Sequence, residues 1–303
     1  MGAMRFCRHL AFIALFTLSV LVCDCNRQHA PNVSRERNAQ ACDFGGIRGE
    51  QVSFYSEALQ RRMRYLVLFP ASYQSNLSRQ YAVLFLLHGG GGGGHSEEWT
   101  QQSSVLQEMR GREWITVLPQ ADLSWYVNAA LSPQDRYEDY IVHDLRLDVE
   151  SHYRTRSDRS GRGIAGVSMG GYGAAFLTLK HPEIYSFAGL FGASLDAPRR
   201  WFNFIHVGQG IHESKTFGWW GHARDRYDPF VLLSQVESGR KLYIWSTCGD
   251  GDSFLPLARR FDGELNRAHI QHTFVVAEGG HEWRAWNSQL GAMLDAWSNW
   301  ITR

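Results

Sequence analysis

The sequence predicts an α/β fold. It combines a mostly parallel central sheet, an antiparallel N-terminal hairpin, helices on both faces, and an irregular insertion around 195–228. Three observations predict it. Short continuous apolar runs recur from residue 51 onward, the mark of strands buried on both faces. Between them lie stretches with apolar residues at helical spacing. Strands that alternate with helices imply parallel strands joined by crossovers. The 303 residues are 44% hydrophobic and 20% charged, a globular balance and not a disordered one. A formal net charge of +1 leaves no electrostatic footprint for nucleic acid or for an anionic membrane. Neither an internal repeat nor a second domain is visible.

The N-terminus reads as a targeting segment. Arg5 and Arg8 precede an apolar stretch, 10–22, broken by Thr17 and Ser19. That is shorter than the ~20 apolar residues a spanning helix needs. A basic start and a short apolar core read as an export signal over 1–25, so a secreted or periplasmic location is expected. Cys23 resembles a lipoprotein acceptor cysteine and is the one candidate for membrane attachment, although Val22 is bulky for such a site. Residues 26–50 read as a polar tether, which leaves 51–303 as the folded domain. Cys42 and Cys248 fall in the mature part. A disulfide between them and two buried free thiols are equal alternatives.

Along the body, 52–58 and 63–69 are strand-like and joined by Leu59-Gln60-Arg61-Arg62 as a hairpin. Further strands are expected at 81–87, 115–118, 163–167, 187–191, 242–246 and 272–276. Helices are expected at 137–153, 171–180, 253–268 and 283–301, the second stopped by His181-Pro182. In the first, Tyr140, Ile141, Leu145, Leu147, Val149 and Tyr153 share a side. In the last, Trp286, Leu290, Leu294, Trp297 and Ile301 do so. Asp135, Glu138, Asp139 and Asp144 read as a solvated helix face. Segment 195–228 holds Trp201, Phe202, Phe204, Trp219 and Trp220 without a dominant period, and long irregular insertions are usually functional.

Gly166-Val167-Ser168-Met169-Gly170 matches G-x-S-x-G, with a strand-like run before it and a small-residue helix start after it. A sharp strand-to-helix turn strains the serine backbone and brings neighbouring backbone close, which small side chains permit. It presents Ser168 at a helix N-terminus, where the dipole favours negative charge. This elbow makes an α/β-hydrolase fold the specific expectation. A nucleophilic serine needs a base and an acid to orient it, expected in the order Ser, Asp, His on loops after strands. Asp250 and Asp252 both follow the strand at 242–246. Asp252 is favoured, because it lies further out where the loop can turn. His281 follows the last strand and is the natural base. His143, His152, His181, His269 and His272 are better read as surface or satisfied polar groups.

An oxyanion needs donors aimed at it. The N–H of Met169 is one. The loop His88-Gly89-Gly90-Gly91-Gly92-Gly93-Gly94-His95 supplies the other, assigned to Gly90, with Gly89 and Gly91 as alternatives. The run also fits a dinucleotide-binding pattern. It lacks the acidic residue about 20 positions on, however, and follows two earlier strands. No Gly-Lys-Ser/Thr follows, so a P-loop is excluded.

LLHGG, SWYVN, GVSMGGYGA, CGDGD and GGHEW together resemble the Putative esterase family of α/β hydrolases. That family includes feruloyl and acetyl-xylan esterases, tributyrin-type esterases, S-formylglutathione hydrolase, enterochelin esterases and mycolyltransferases. The resemblance spans about 51–303. It implies Ser168 as nucleophile, His281 as base, Asp252 as acid, and Met169 and Gly90 as oxyanion donors. The five glycines after His-Gly depart from the family pattern and imply a more mobile second donor.

Trp125, Tyr126 and Asn128 follow a strand end and are candidate cleft residues. Trp219 is a candidate lid or aromatic platform. The 11 tryptophans exceed what a core of this size needs; aromatic faces suit aryl or sugar groups, and tryptophan also packs simply as core. His206, His212 and His222 are too loosely spaced for a zinc site. The expectation is an exported serine carboxylesterase that needs no cofactor or metal and acts on a small-molecule or carbohydrate-linked ester. The alternatives are an acyltransferase, mycolyltransferase-like, and a binding protein on an inactive hydrolase fold.

Overall fold

A computed structural model describes residues 35–200, 207–219, 221–237 and 239–302. The stretch read as an export signal, Cys23 and the stretch read as a tether as far as residue 34 lie outside the described residues. So do Trp201, Phe202, Phe204, His206 and Trp220. Among the described residues no helix is long and apolar enough to cross a membrane.

The centre is one sheet of nine strands. They are β1 (Asn38–Asp43), β2 (Arg48–Ser56), β3 (Arg61–Leu68), β4 (Val83–Leu87), β5 (Ile115–Pro119), β6 (Arg162–Val167), β7 (Phe187–Phe191), β8 (Tyr243–Gly249) and β9 (Gln271–Ala277). Their order is β1-β2-β3-β5-β4-β6-β7-β8-β9. From β5 to β9 every pairing is parallel. β1, β2 and β3 form an antiparallel meander that joins β5 antiparallel. The predicted hairpin is therefore present but does not form the edge. β1 does, and with the start of β2 it lies inside the stretch read as tether. Residues 38–43 and 48–50 belong to the sheet, with 44–47 as the turn between them. Their polarity misled, because β1 is an edge strand whose side chains are mostly exposed.

The helices are α1 (Glu98–Gln102), α2 (Val105–Glu108), α3 (Tyr137–Asp139), α4 (Arg146–His152), α5 (Met169–Lys180), α6 (Val207–Phe217), α7 (Pro229–Ser234), α8 (Leu255–Arg267) and α9 (Trp283–Ile301). A π-helical turn, Tyr140–Leu145, joins α3 to α4. Leu147 does not share the buried side expected of it and is 51% exposed. It stands two residues on from Leu145, about 200° round the helix. The acidic face is not a solvated one either. Glu138 is buried and meets Lys180 Nζ at 2.8 Å and His181 Nε2 at 2.7 Å. Asp144 accepts from the Ala58 N–H at 2.8 Å.

Alternate residues of each central strand feed two cores. Val83, Phe85 and Leu87 pack with α5 on one face, while Leu84 and Leu86 pack with α9 on the other. Six of the 11 tryptophans fill the α9 side: Trp99, Trp114, Trp245, Trp286, Trp297 and Trp300. Most of the tryptophan excess is thus core, not substrate platform. Gly163 makes room for it, since a Cβ there would lie 2.8 Å from the Trp297 ring.

The insertion is partly helical. Among its described residues are α6 and the 3-10 segments Ala197–Arg199 and Gly221–Tyr227. Arg224 is buried and donates to the carbonyls of Gly218 and Pro198. Phe217 packs among Trp125, Tyr172 and Tyr227. Glycines and charges hid the helix in the sequence. Cys42 and Cys248 are both free thiols, Cys248 buried and Cys42 half-buried. They sit on β1 and β8, seven strand spacings apart in the sheet order. At about 4.8 Å per spacing that is roughly 30 Å, far beyond disulfide reach.

Candidate active site

The chain reverses its direction of winding at β4, which lies between β5 and β6. Ligands of open α/β sheets bind beyond the carboxyl ends of strands at such a point. β4 ends at Leu87 and leads into His88-Gly89, and β6 ends at Val167, just before Ser168. Ser168 has φ +55° and ψ −113°, the strained turn expected there. Its neighbours must be glycine. A Cβ on Gly166 would lie 2.4 Å from the Gly170 carbonyl, and one on Gly170 2.4 Å from the Leu87 oxygen. The Ser168 N–H donates to Phe191 O at 2.8 Å, which ties the turn to β7.

Three loops converge above this turn. Ser168 Oγ lies 2.8 Å from His281 Nε2, and His281 Nδ1 lies 2.8 Å from Asp252 Oδ2. The carboxylate accepts only, so the imidazole carries its proton on Nδ1 and takes the serine proton's hydrogen bond at Nε2. The Asp252 side chain is fully buried. Burial opposes its ionisation. Hydrogen bonds from His281, the Phe254 N–H and the Cys248 thiol outweigh that and hold the carboxyl below its ordinary value. Burial, with the charge of Asp252, pushes the Cys248 thiol up to about 12. Asp250 is exposed and accepts the Gly279 N–H at 3.0 Å, so it braces the histidine loop and does not reach His281.

The His281 ring stands edge-on between Phe254 and Trp286, with centroids 5.0 Å away on each side. Gly192 (φ +50°) closes the floor, where a Cβ would lie 3.1 Å from Asp252 and 3.2 Å from His281. The sequence reading missed Phe254, Trp286 and Gly192 as site residues. Trp286 carried a signal, since it follows GGHEW by one turn of α9. Gly192 carried none beyond its place after β7.

Hydrogen bonds hold the start of the glycine loop, from Leu87 to Gly89. Trp99 Nε1 donates to Leu87 O at 3.0 Å, and Tyr126 OH donates to His88 O at 2.8 Å. The Ala121 N–H donates to His88 Nε2 at 3.0 Å, so Nδ1 carries the proton and donates to Gly89 O at 2.9 Å. Burial pushes the His88 pKa down to about 4, which keeps the ring neutral. The Gly89 N–H is taken by Glu98 Oε2 at 2.9 Å. The planar peptide whose carbonyl meets His88 carries the Gly90 N–H on its opposite side. Gly90 lies against Met169, 3.9 Å from the Met169 Cβ to where its own Cβ would stand. Gly91 has no neighbour within 4 Å of that position.

The candidate cleft residues separate. Tyr126 is fully buried and is a strut for His88. Asn128 Oδ1 accepts the Asp139 N–H at 3.2 Å and its carbonyl accepts from Tyr227 OH, so it braces the helix start. Trp125 and Tyr126 both have positive φ, which turns the segment inward after Ser124. Trp125 is buried against Tyr172 and Phe217, with the Arg200 guanidinium 5.6 Å above its ring. Trp219 is 63% exposed on the insertion. Leu123, unremarked in the sequence, is 45% exposed and lies beside Gly90. Among the described residues no group of three or more His, Cys, Asp or Glu could hold a metal ion.

The Putative esterase family model matches residues 56–297. An acetyl esterase of Caldicellulosiruptor saccharolyticus is 23% identical over 262 residues, 79% of this chain and 94% of its own length. A diacylglycerol acyltransferase/mycolyltransferase of Mycobacterium avium is 26% identical over 183 residues, 52% of this chain and about half (54%) of its own. The solved S-formylglutathione hydrolase of Agrobacterium tumefaciens shares the fold, with a TM-score of 0.74 at 18% identity over 87% of this chain and 99% of that one. With this fold and a match over most of its length, the chain belongs to the Putative esterase family, whose members act on esters.

Proposed function

We propose that the protein is an exported serine carboxylesterase. The observation that carries the reading is the unbroken hydrogen-bond chain from Ser168 through His281 to Asp252, 2.8 Å at each link. Ser168 Oγ attacks the ester carbonyl carbon while its proton passes to His281 Nε2. Asp252 holds the imidazole through Nδ1–H and stabilises the imidazolium. The carbonyl oxygen becomes an oxyanion against the N–H groups of Met169 and Gly90. Collapse expels the alcohol, which takes the proton from His281. Water then enters and attacks the acyl carbon while giving a proton to the same nitrogen; the Ser168 Oγ–acyl bond breaks, Oγ takes that proton back from His281, and the acid leaves. Residues Leu123 and Trp125 are proposed to wall the substrate beside the donors. The acetyl esterase relative supports a small acyl group. Export rests on the basic and apolar pattern of residues 1–25.

The test is hydrolysis of p-nitrophenyl acetate by wild type and Ser168→Ala. Loss of turnover in the variant is expected, and equal turnover would defeat the assignment. A second reading, transfer of the acyl group to a sugar or lipid hydroxyl, is favoured by the mycolyltransferase relative. Product analysis with an added acceptor alcohol separates the two, and hydrolysis without transfer counts against it.

A further inference from the structure

We propose that Glu98 is a positioning residue for the oxyanion donor: its carboxylate holds the Gly89 amide so that the Gly90 N–H is aimed before substrate arrives. The proposal rests on the oxyanion reading above and names the side chain on which its second donor depends.

Glu98 is the first residue of α1 and is buried, with 7% exposure. An acidic side chain in that position needs a partner. Its Oε2 accepts the Gly89 N–H at 2.9 Å. A hydrogen bond to a charged acceptor is stronger than a neutral one. The bond joins residues nine positions apart, and Gly89 and Gly92 lie against this carboxylate. The glycines fit that purpose. A Cβ on Gly92 would lie 2.6 Å from Glu98 Cδ and 2.9 Å from Oε1. A Cβ on Gly94 would lie 2.4 Å from Asp122 Cα, and Gly93 and Gly94 have φ of +77° and +86°. Gly92 and Gly94 thus have no room for a Cβ, whereas the space around Gly91 is open.

Two groups then fix successive peptides. Glu98 holds the N–H of Gly89, and His88 Nδ1–H holds its carbonyl. With both ends of Gly89 fixed, the Gly89–Gly90 peptide plane cannot rotate, and the N–H of Gly90 keeps one direction. Gly90 itself faces Met169 and Leu123. Donors aimed in advance avoid reorganisation in the transition state. Glu98 therefore acts on kcat through Gly90, without touching substrate.

The experiment compares wild type, Glu98→Ala, Glu98→Gln and Gly92→Ala on p-nitrophenyl acetate and on its thiono analogue, whose sulfur accepts hydrogen bonds poorly. Wild type should prefer the oxygen ester. In Glu98→Ala, kcat should fall about ten- to hundredfold, a part of what losing one donor costs. KM should change little and the oxygen-over-sulfur preference should shrink. Glu98→Gln keeps an acceptor and should restore most of both. Gly92→Ala retains the carboxylate but crowds it out of position, and should resemble Glu98→Ala. Unchanged kcat and preference in Glu98→Ala would overturn the proposal. So would equal losses in Glu98→Ala and Glu98→Gln with a lowered melting temperature and an unaltered preference. A wild type that itself shows no preference would instead refute the oxyanion reading beneath it, and the Glu98 proposal would fall with it.

Discussion

Replacing His88 with glutamine should remove a pH-dependent part of this protein's stability. His88 is 1% exposed. Its Nε2 accepts from Ala121 and its Nδ1–H donates to Gly89, an arrangement open to the neutral ring alone. Burial lowers its pKa from 6.5 to about 4. Hydrogen bonding to Gly89 and the nearby Asp122 charge oppose that but do not cancel it. In the unfolded chain the ring takes up a proton near 6.5. Between there and about 4 the unfolded state therefore binds more protons than the folded one. Stability must fall as the pH falls through this window, then level off below it. A shift of this size corresponds to roughly 3 kcal/mol at 1.36 kcal/mol per unit. Urea unfolding of wild type and His88→Gln at pH 7 and at pH 4 measures it. The advantage of wild type should shrink by about 3 kcal/mol between the two pH values. An advantage that stays the same at both would show that His88 is not held neutral, and the account of how the start of the glycine loop is held would lose its anchor.

Asp252→Asn should lower kcat on a nitrophenyl ester about 10⁴-fold, as loss of a buried orienting carboxylate does. Asp250→Asn, which keeps an exposed acceptor for the Gly279 N–H and lies away from His281, should stay near wild type, and the two kinetic traces decide between them. Gly170→Ala places a Cβ 2.4 Å from the Leu87 carbonyl. It should cost about 3 kcal/mol or more in a denaturant titration, so a wild-type midpoint would refute the close approach. Native protein treated with iodoacetamide at pH 8 should keep Cys248 unmodified by mass spectrometry, because the thiol is buried and its pKa is pushed up to about 12. Adding reductant should leave the melting temperature unchanged, since the two thiols are not bridged.

Local patterns carried much of this molecule. Apolar runs located β4 to β9, and α9 begins at Trp283 and ends at Ile301 as its spacing indicates. The elbow was legible because G-x-S-x-G between a strand and a helix constrains the backbone within five residues. His281 was legible because it is the histidine that directly follows the last strand. The choice of Asp252 over Asp250 rested on loop reach, and the two oxygens do diverge, one to His281 and one to Gly279.

What the linear chain could not supply is whatever depends on residues far apart in it. β1 looked like tether because an edge strand needs no apolar face, and its pairing with β2 is the evidence for it. Tyr126 and Asn128 looked like cleft residues, yet positive backbone angles turn that segment inward. The tryptophans suited substrate contact and packing alike until the two cores assigned most of them to packing. Six successive glycines read as freedom, yet the run starts from residues that are held, Leu87 by Trp99, His88 by Tyr126 and Gly89 by His88 and Glu98. Secondary structure follows from forces between near neighbours, so it can be read along the chain. Burial and hydrogen-bond partnership are properties of the folded volume, where the distances between remote residues are first set.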